Sequence, residues 1–277
     1  MRKLTSAHFS RLIKDRAFWL ISAVVLVGSL VAILNCSRSA AEMTASGYIV
    51  TLDDYFFTQA PLMGLYFAVF ISLFLGTEYA DGAVRNKLVV GASRLDVYLS
   101  GLAVSMGAGI FFLCLWWLGS VPGLLLVGPL DMGIGGFLLN VLVAVGFTMA
   151  LTSIFTAVSS LSDNRAVTVV LVLAVWLVLL FANSAIYYRL CEPEFQSGMI
   201  VTANGFEIVD PEPNPLYLSG SIRTFFECLL DFLPTGQAIL MSDNAIAHPL
   251  RQLIFSVVVT VGSSAAGLSA FRRKDLK

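Results

Sequence analysis

The chain has 277 residues, 57% of them hydrophobic and only 13% charged, with a mean hydropathy of +0.84 and a formal net charge of −1. Soluble domains carry about 25% charged and about 45–50% apolar residues, so an ordinary water-soluble domain is excluded. A pI near 6.1 gives no electrostatic reason to expect a nucleic-acid partner.

In chain order, Lys3–Arg16, "KLTSAHFSRLIKDR", comes first. Leu4, Ala7 or His8, Arg11 and Asp15 recur at helical spacing, and Phe9, Leu12 and Ile13 form an apolar stripe with bases beside it. The segment reads as an amphipathic helix in the inner membrane interface, or as a basic flank that only sets topology. Six uncharged apolar runs follow: about Ala17–Cys36, Phe56–Leu75, Val97–Val121, Gly133–Ser160, Ala166–Tyr188 and Gln252–Phe271. Lipid offers backbone groups no hydrogen-bonding partners, so a span is a helix of about 20 mostly apolar residues. The expected fold is therefore an all-α polytopic membrane protein with six transmembrane helices. The first run exceeds a signal-peptide core of about 7–15 residues and no small-residue cleavage site follows it, so it is expected to be retained.

Between the runs, Ser37–Tyr55 reads as a short acidic external loop, Pro122–Met132 as a Pro- and Gly-rich connection, and Leu161–Arg165 as a tight turn. Residues 189–251 are the only sizeable polar piece. Within it, Cys191–Pro215 reads as an irregular loop. Ser219–Leu233 places Ile222, Phe225, Phe226, Leu229, Leu230 and Leu233 on one amphipathic helical stripe. Pro234 ends that helix and "TGQAILM" begins a second short apolar stretch. Both are too short to span and are expected to lean on or dip into the outer leaflet. Cys191 and Cys228 share this loop at a spacing that matches no metal motif, and their pairing is open.

Sidedness follows from Lys and Arg. Alternating the loops puts 13 of the 17 bases with both termini, and the other four (Arg38, Arg189, Arg223, Arg251) across the membrane. The positive-inside rule then places both termini in the cytoplasm, with anionic lipid as neighbour of the basic side.

The densest charge lies in Gly76–Tyr98, "GTEYADGAVRNKLVVGASRLDVY", with three acids and three bases between two uncharged runs. A short helix here would pair Asp81 with Arg85, expose Val84 and Leu88 as an apolar face, and stop at Gly91. "SRLD" from Ser93 resembles a capping box leading into the third span. An ordinary loop carrying orientation charges and a rigid docking element both fit this pattern.

Gly76-Thr77-Glu78-Tyr79, Asp81-Gly82, Arg85-Asn86-Lys87-Leu88, Gly91, Ser93-Arg94 and Tyr98 together resemble the first cytoplasmic loop of ABC-2-type transporter permeases. The likeness is to the branch with bacitracin-resistance, lantibiotic-immunity and sodium-export permeases. Asn214-Pro215, Tyr217, Ser219-Gly220, Arg223 and "DFLPTGQA" at Asp231–Ala238 are similar to that branch's external segment, and "FSRLIKDRAFW" to its N-terminal helix. The resemblance covers the whole chain, 1–277, as one transmembrane domain. It implies an interfacial helix at 1–16, a coupling loop at 77–96 and an external loop with short helices at 189–251. It further implies a permease subunit of an ATP-driven exporter in the cell membrane, paired with an ABC ATPase subunit and a second permease copy, identical or different. ATP and Mg would sit on the ATPase, and this chain would bind no cofactor. The implied coupling residues are Glu78, Tyr79, Asp81, Gly82, Arg85, Asn86, Lys87, Gly91 and Arg94, with Arg11, Lys14 and Arg16 as a secondary contact. Arg223, Asp231, Pro234 and Gly236 would belong to an external cap.

No G-x-x-x-x-G-K-[ST] occurs, which agrees with a nucleotide site elsewhere. Asn35, Gln59, Asn140 and Asn183, and Thr148, Thr152, Ser153, Thr156, Ser159 and Ser160 in the fourth span, read mainly as helix-packing groups, with substrate contact as the alternative. The spans hold no acid or base, whereas ion-coupled carriers usually need one at mid-membrane depth. Gly101, Gly107, Gly109, Gly262 and Gly267, with Ser263 and Ser264, read as close-packing surfaces. His8 and His248 read as isolated, and no nucleophile–base set appears, which argues against an intramembrane enzyme. A non-transporting scaffold or sensor that docks a cytoplasmic regulator remains the rival to the exporter.

Overall fold

The computed structural model describes residues 2–196, 199–202, 205–208 and 211–274. Helix α1 (Arg2–Lys14) turns sharply into α2 (Arg16–Ala45). The elbow is set by Asp15, whose Oδ1 accepts from the N–H of Ala17 at 2.7 Å and of Phe18 at 3.4 Å, occupying the free donors of the new helix. A short α3 (Asp53–Phe56) leads to α4 (Ala60–Ala80), then α5 (Ala83–Val89), α6 (Arg94–Ser120), a single turn α7 (Gly123–Leu126), α8 (Gly133–Ser159) and α9 (Arg165–Leu190). Four short strands follow: β1 (Phe195–Gln196), β2 (Met199–Thr202), β3 (Gly205–Ile208) and β4 (Glu212–Pro213). The chain ends in α10 (Gly220–Phe232), α11 (Pro234–Ser242) and α12 (Pro249–Arg273).

Among the described residues, six helical stretches are long and apolar enough to cross a membrane, beginning at Arg16, Asp53, Arg94, Gly133, Arg165 and Pro249. This is the architecture expected of a multi-pass membrane protein. Helix α8 sits centrally, against α4, α6, α9, α11 and α12. The core is aromatic: Phe67, Phe70 and Phe74 of α4 meet Phe112 and Trp116 of α6 and Phe147 and Phe155 of α8, all essentially solvent-free. Phe70 and Phe112 pack edge to face with ring centroids 5.4 Å apart, an arrangement favoured by the ring quadrupole. Gly109 permits the α6–α8 approach, since a Cβ there would lie 2.9 Å from the methyls of Thr148 and Thr152. Gly267 does the same between α12 and α8, against Ala157, whereas Gly107 and Gly262 face open space. Helices α9 and α12 turn most of their apolar side chains outward, as lipid permits.

Four expectations are corrected. Ser37–Ala45 continues α2 by about 13 Å rather than forming a loop, because no Gly or Pro interrupts it before Gly47, which takes φ +89°. The segment read as irregular contains two antiparallel pairings, β1 with β4 and β2 with β3, where β-branched and aromatic residues in "MIVT" and "FEI" favour extended backbone. Helix α11 is not a peripheral surface helix. It is wedged among α4, α8 and α9, with Pro234, Gly236, Gln237, Ala238 and Met241 buried. On α1 the proposed stripe splits: Leu12 is buried beside His8, while Phe9 and Ile13 face outward.

Candidate functional site

The link between α4 and α6 is defined at each joint. Asp81 ends α4, and Gly82 at φ +69° reverses the chain into α5. Gly91 at φ +95° closes α5, with its N–H bonded to Leu88 O at 3.0 Å and that of Ala92 to Lys87 O at 3.0 Å, a Schellman ending. Ser93 Oγ then accepts from Asp96 N at 3.0 Å and starts α6. Because the chain turns at Gly82, Asp81 and Arg85 are not on one helix, and among the described residues they form no ion pair.

Glu78, on the last turn of α4, is 2% exposed and holds the link in place. Its Oε1 accepts from Lys87 Nζ of α5 at 2.5 Å, and its Oε2 from Arg11 Nη1 of α1 at 2.9 Å. Arg11 Nη2 also donates to Phe74 O at 3.0 Å, and its guanidinium lies 4.7 Å from the Phe74 ring centre. His8 fills the remaining side. Lys87 Nζ donates to His8 Nε2 at 2.7 Å, which requires a neutral ring with its proton on Nδ1, facing Glu78 Oε2 at 3.4 Å. Burial pushes the His8 pKa down, opposed by Glu78 and reinforced by Lys87 and Arg11, so the neutral ring is the favoured form. One buried carboxylate thus ties three helices together, and a cavity of about 330 Å³ opens beside it along Ala7, Thr77 and Asp81.

A second tie is made by Arg94 and by Tyr79, the neighbour of Glu78. Arg94 Nη1 donates to the carbonyls of Phe271, Arg272 and Lys274 at 2.8, 3.1 and 2.6 Å, holding the C-terminal end of α12, where carbonyls lack helical partners. Tyr79 packs edge to face on Phe271 at 5.9 Å. Lys274 Nζ bonds Asp163 at 2.6 Å and Ser160 O at 3.0 Å, joining α12 to the α8–α9 turn.

The implied coupling residues therefore separate into two kinds. Glu78, Tyr79, Lys87, Arg94 and Arg11 face inward and position helices. Asp81, Arg85, Asn86 and Gly91, with Lys14 and Arg16 on the elbow, are exposed, and Gly82 makes the turn. The apolar part of the exposed surface is not Val84, which is buried, or Leu88, which is half-buried. It is Val89 and Val90, 78% and 88% exposed. His8 is not isolated, as the sequence suggested. Its i, i+3 spacing to Arg11 was the available signal.

At the opposite end, Arg223 bonds Glu227 at 3.0 Å and Leu190 O at 3.2 Å, joining α10 to α9. Asp231 is 3% exposed; its Oδ2 accepts from Arg251 and its Oδ1 from Gln252 Nε2 at 2.6 Å. Gln237 Nε2 donates to Asp231 O at 2.7 Å and Gln252 O at 3.1 Å, and Ser256 Oγ donates to Gln237 Oε1 at 2.8 Å. Pro234 starts α11, and Gly236 lies so close to the Leu230 backbone that no Cβ fits. A cavity of about 300 Å³ opens here, lined by Tyr187, Leu190 and Leu240 together with Arg223, Asp231 and Arg251. Cys191 and Cys228 are free thiols.

Within the spans, Thr148, Thr152 and Ser153 bond carbonyls of their own helix, Ser153 also meets Ser263 at 2.6 Å, and Asn183 reaches Thr235 at 2.7 Å. These bonds fit the packing role. Among the described residues, no group of three or more His, Cys, Asp or Glu is placed to hold a metal ion. Comparison with protein-family models and with curated proteins returned no match for the chain.

Proposed function

We propose that this chain is the permease subunit of an ATP-driven exporter of the ABC-2 type, with both termini and the α4–α6 link in the cytoplasm. Two permease copies would form the path and a separate ATPase would dock on the α5 surface. The observation that carries this reading is the fixing of α5 to α1 and α4 through the buried Glu78. A force applied to Asp81, Arg85, Val89 or Val90 cannot be absorbed by a loose loop; it reaches α4 directly and α1 through Arg11. Arg94 and Tyr79 pass the displacement on to α6 and α12. Helices are stiff and packed cores have discrete arrangements, so such a link transmits a rigid-body change between spans. The Lys and Arg bias toward this end of the helices supports the sidedness.

The test is co-purification from native membranes in mild detergent, with ATPase activity as readout. Wild-type chain is expected to bring down a P-loop ATPase in stoichiometric amount. Arg85→Glu, on an exposed side chain, is expected to lose that partner and substrate export while insertion and thermal stability are unchanged. Undiminished partner recovery and export in Arg85→Glu would reject the coupling role. Recovery of a kinase or regulator in place of an ATPase would favour the scaffold.

A further inference from the structure

We propose that the outward face of α2 next to the α1–α2 elbow binds one anionic phospholipid, its acyl chain in a groove on α2 and its headgroup on Lys14 and Arg16. This site lies away from the α5 surface, though it uses Lys14 and Arg16 of the implied secondary contact, and it does not depend on what the protein transports.

A groove of about 410 Å³ is lined by Leu20, Ala23, Val24, Val27 and Gly28. These fall at i, i+3, i+4, i+7 and i+8, so they share one helical face. Leu20, Val24 and Val27 are 67%, 52% and 56% exposed and form the walls, while the small Ala23 and Gly28 leave the depression. The groove runs about 12 Å along the helix, matching the upper part of an acyl chain. It ends where the charge begins. Arg16 lies four residues before Leu20, on the same face, and Lys14 lies across the elbow. Both are exposed, and among the described residues neither makes an ion pair. The one acid between them, Asp15, spends its Oδ1 on the α2 N-terminus.

The elbow is also shaped for the membrane interface. Trp19 is 53% exposed with Nε1 donating to Ile13 O at 2.7 Å, and Phe9 and Ile13 extend the apolar surface from α1. An apolar groove that ends in two unpaired cations and an interfacial indole is complementary to a lipid with a negative headgroup. A second copy of this chain would have to bury both cations, a desolvation cost that a headgroup phosphate avoids.

Trp19 reports on the site directly, because Trp116 and Trp176 are buried and Trp117 is half-buried. The full chain is reconstituted in nanodiscs of unbrominated phosphatidylcholine doped with about one tenth brominated lipid, and a Trp19→Phe variant gives the background to subtract. Brominated phosphatidylglycerol is expected to quench Trp19 several-fold more effectively than brominated phosphatidylcholine. A preference on the order of tenfold follows from two surface cations. It should vanish in Lys14→Gln/Arg16→Gln and weaken in the wild type at high salt, a check that needs no folded variant. Ala23→Phe, filling the groove, should lower quenching by both lipids. Equal quenching by the two headgroups would overturn the proposal in favour of ordinary boundary lipid. Absence of quenching by either would overturn it in favour of a protein neighbour on this face.

Discussion

The two ends of the bundle are each organised by a buried carboxylate, but Glu78 and Asp231 are satisfied in different ways. Both acids border a cavity and have a partly exposed arginine beside them, Arg11 and Arg251 each being 34% exposed, but Glu78 is met by cations alone, Lys87 and Arg11. Asp231 is met by one arginine and an amide, and a second amide and a hydroxyl extend the network inward through Gln237 to Ser256. Cations at a water-accessible rim can exchange partners at modest cost, because the solvent screens what they lose. Buried amides cannot, since each lost hydrogen bond leaves a desolvated polar group. The network at the α10–α11 end therefore resists rearrangement more than the Glu78 tie does.

The largest expected effect is at the α10–α11 end. Asp231→Leu leaves Arg251 and the Gln252 amide without their acceptor, which should cost on the order of 3–5 kcal/mol, and the thermal transition in detergent should fall accordingly. A shift no larger than that of an exposed control would mean that the network is not closed. Next, Glu78→Gln should cost about 2–3 kcal/mol, less because the glutamine carbonyl can still accept one of the two hydrogen bonds and no buried amide is orphaned. Adding Lys87→Met should recover part of that loss, and a double-mutant cycle showing no coupling would break the account of the three-helix tie.

A smaller effect concerns pH. His8 is held below its ordinary value, so its contribution to stability is complete above about 6.5 and is lost as pH falls through the lowered folded value. Protonation there would set an imidazolium against Lys87 and Arg11, with Glu78 as the attracting charge. His8→Gln should flatten the acid side of the stability curve, and an unchanged curve would remove His8 from the tie. The smallest stability change, within about 0.5 kcal/mol, is expected for the exposed Arg85→Glu, which sharpens the comparison by separating docking from folding.

Much of this was legible in the chain. The six spans, the stop at Gly91 and the Ser93 cap follow from local rules, because an apolar run in lipid must satisfy its own backbone and a helix end needs a particular residue. The elements misread were those where neighbours outweigh pattern. α11 looks like a surface helix until Asn183 of α9 meets its Thr235, and Gln252 and Ser256 of α12 meet its Gln237. Phe9 and Ile13 look like part of the same stripe as Leu12 until α6 packs against only one side of α1.

The sequence by itself determined the solvent of this protein, the number of its spans and the joints at Gly91 and Ser93. All of these are set by interactions within about one helical turn, or by the absence of charge over about 20 residues. Only the tertiary structure decided that Glu78 meets Arg11 across 67 positions, that Arg94 holds the end of α12 across 177, and that Asp231 is buried rather than solvated. A charged side chain carries no local sign of its partner. Its role depends on which distant helix arrives beside it, and that is settled by how the aromatic core packs.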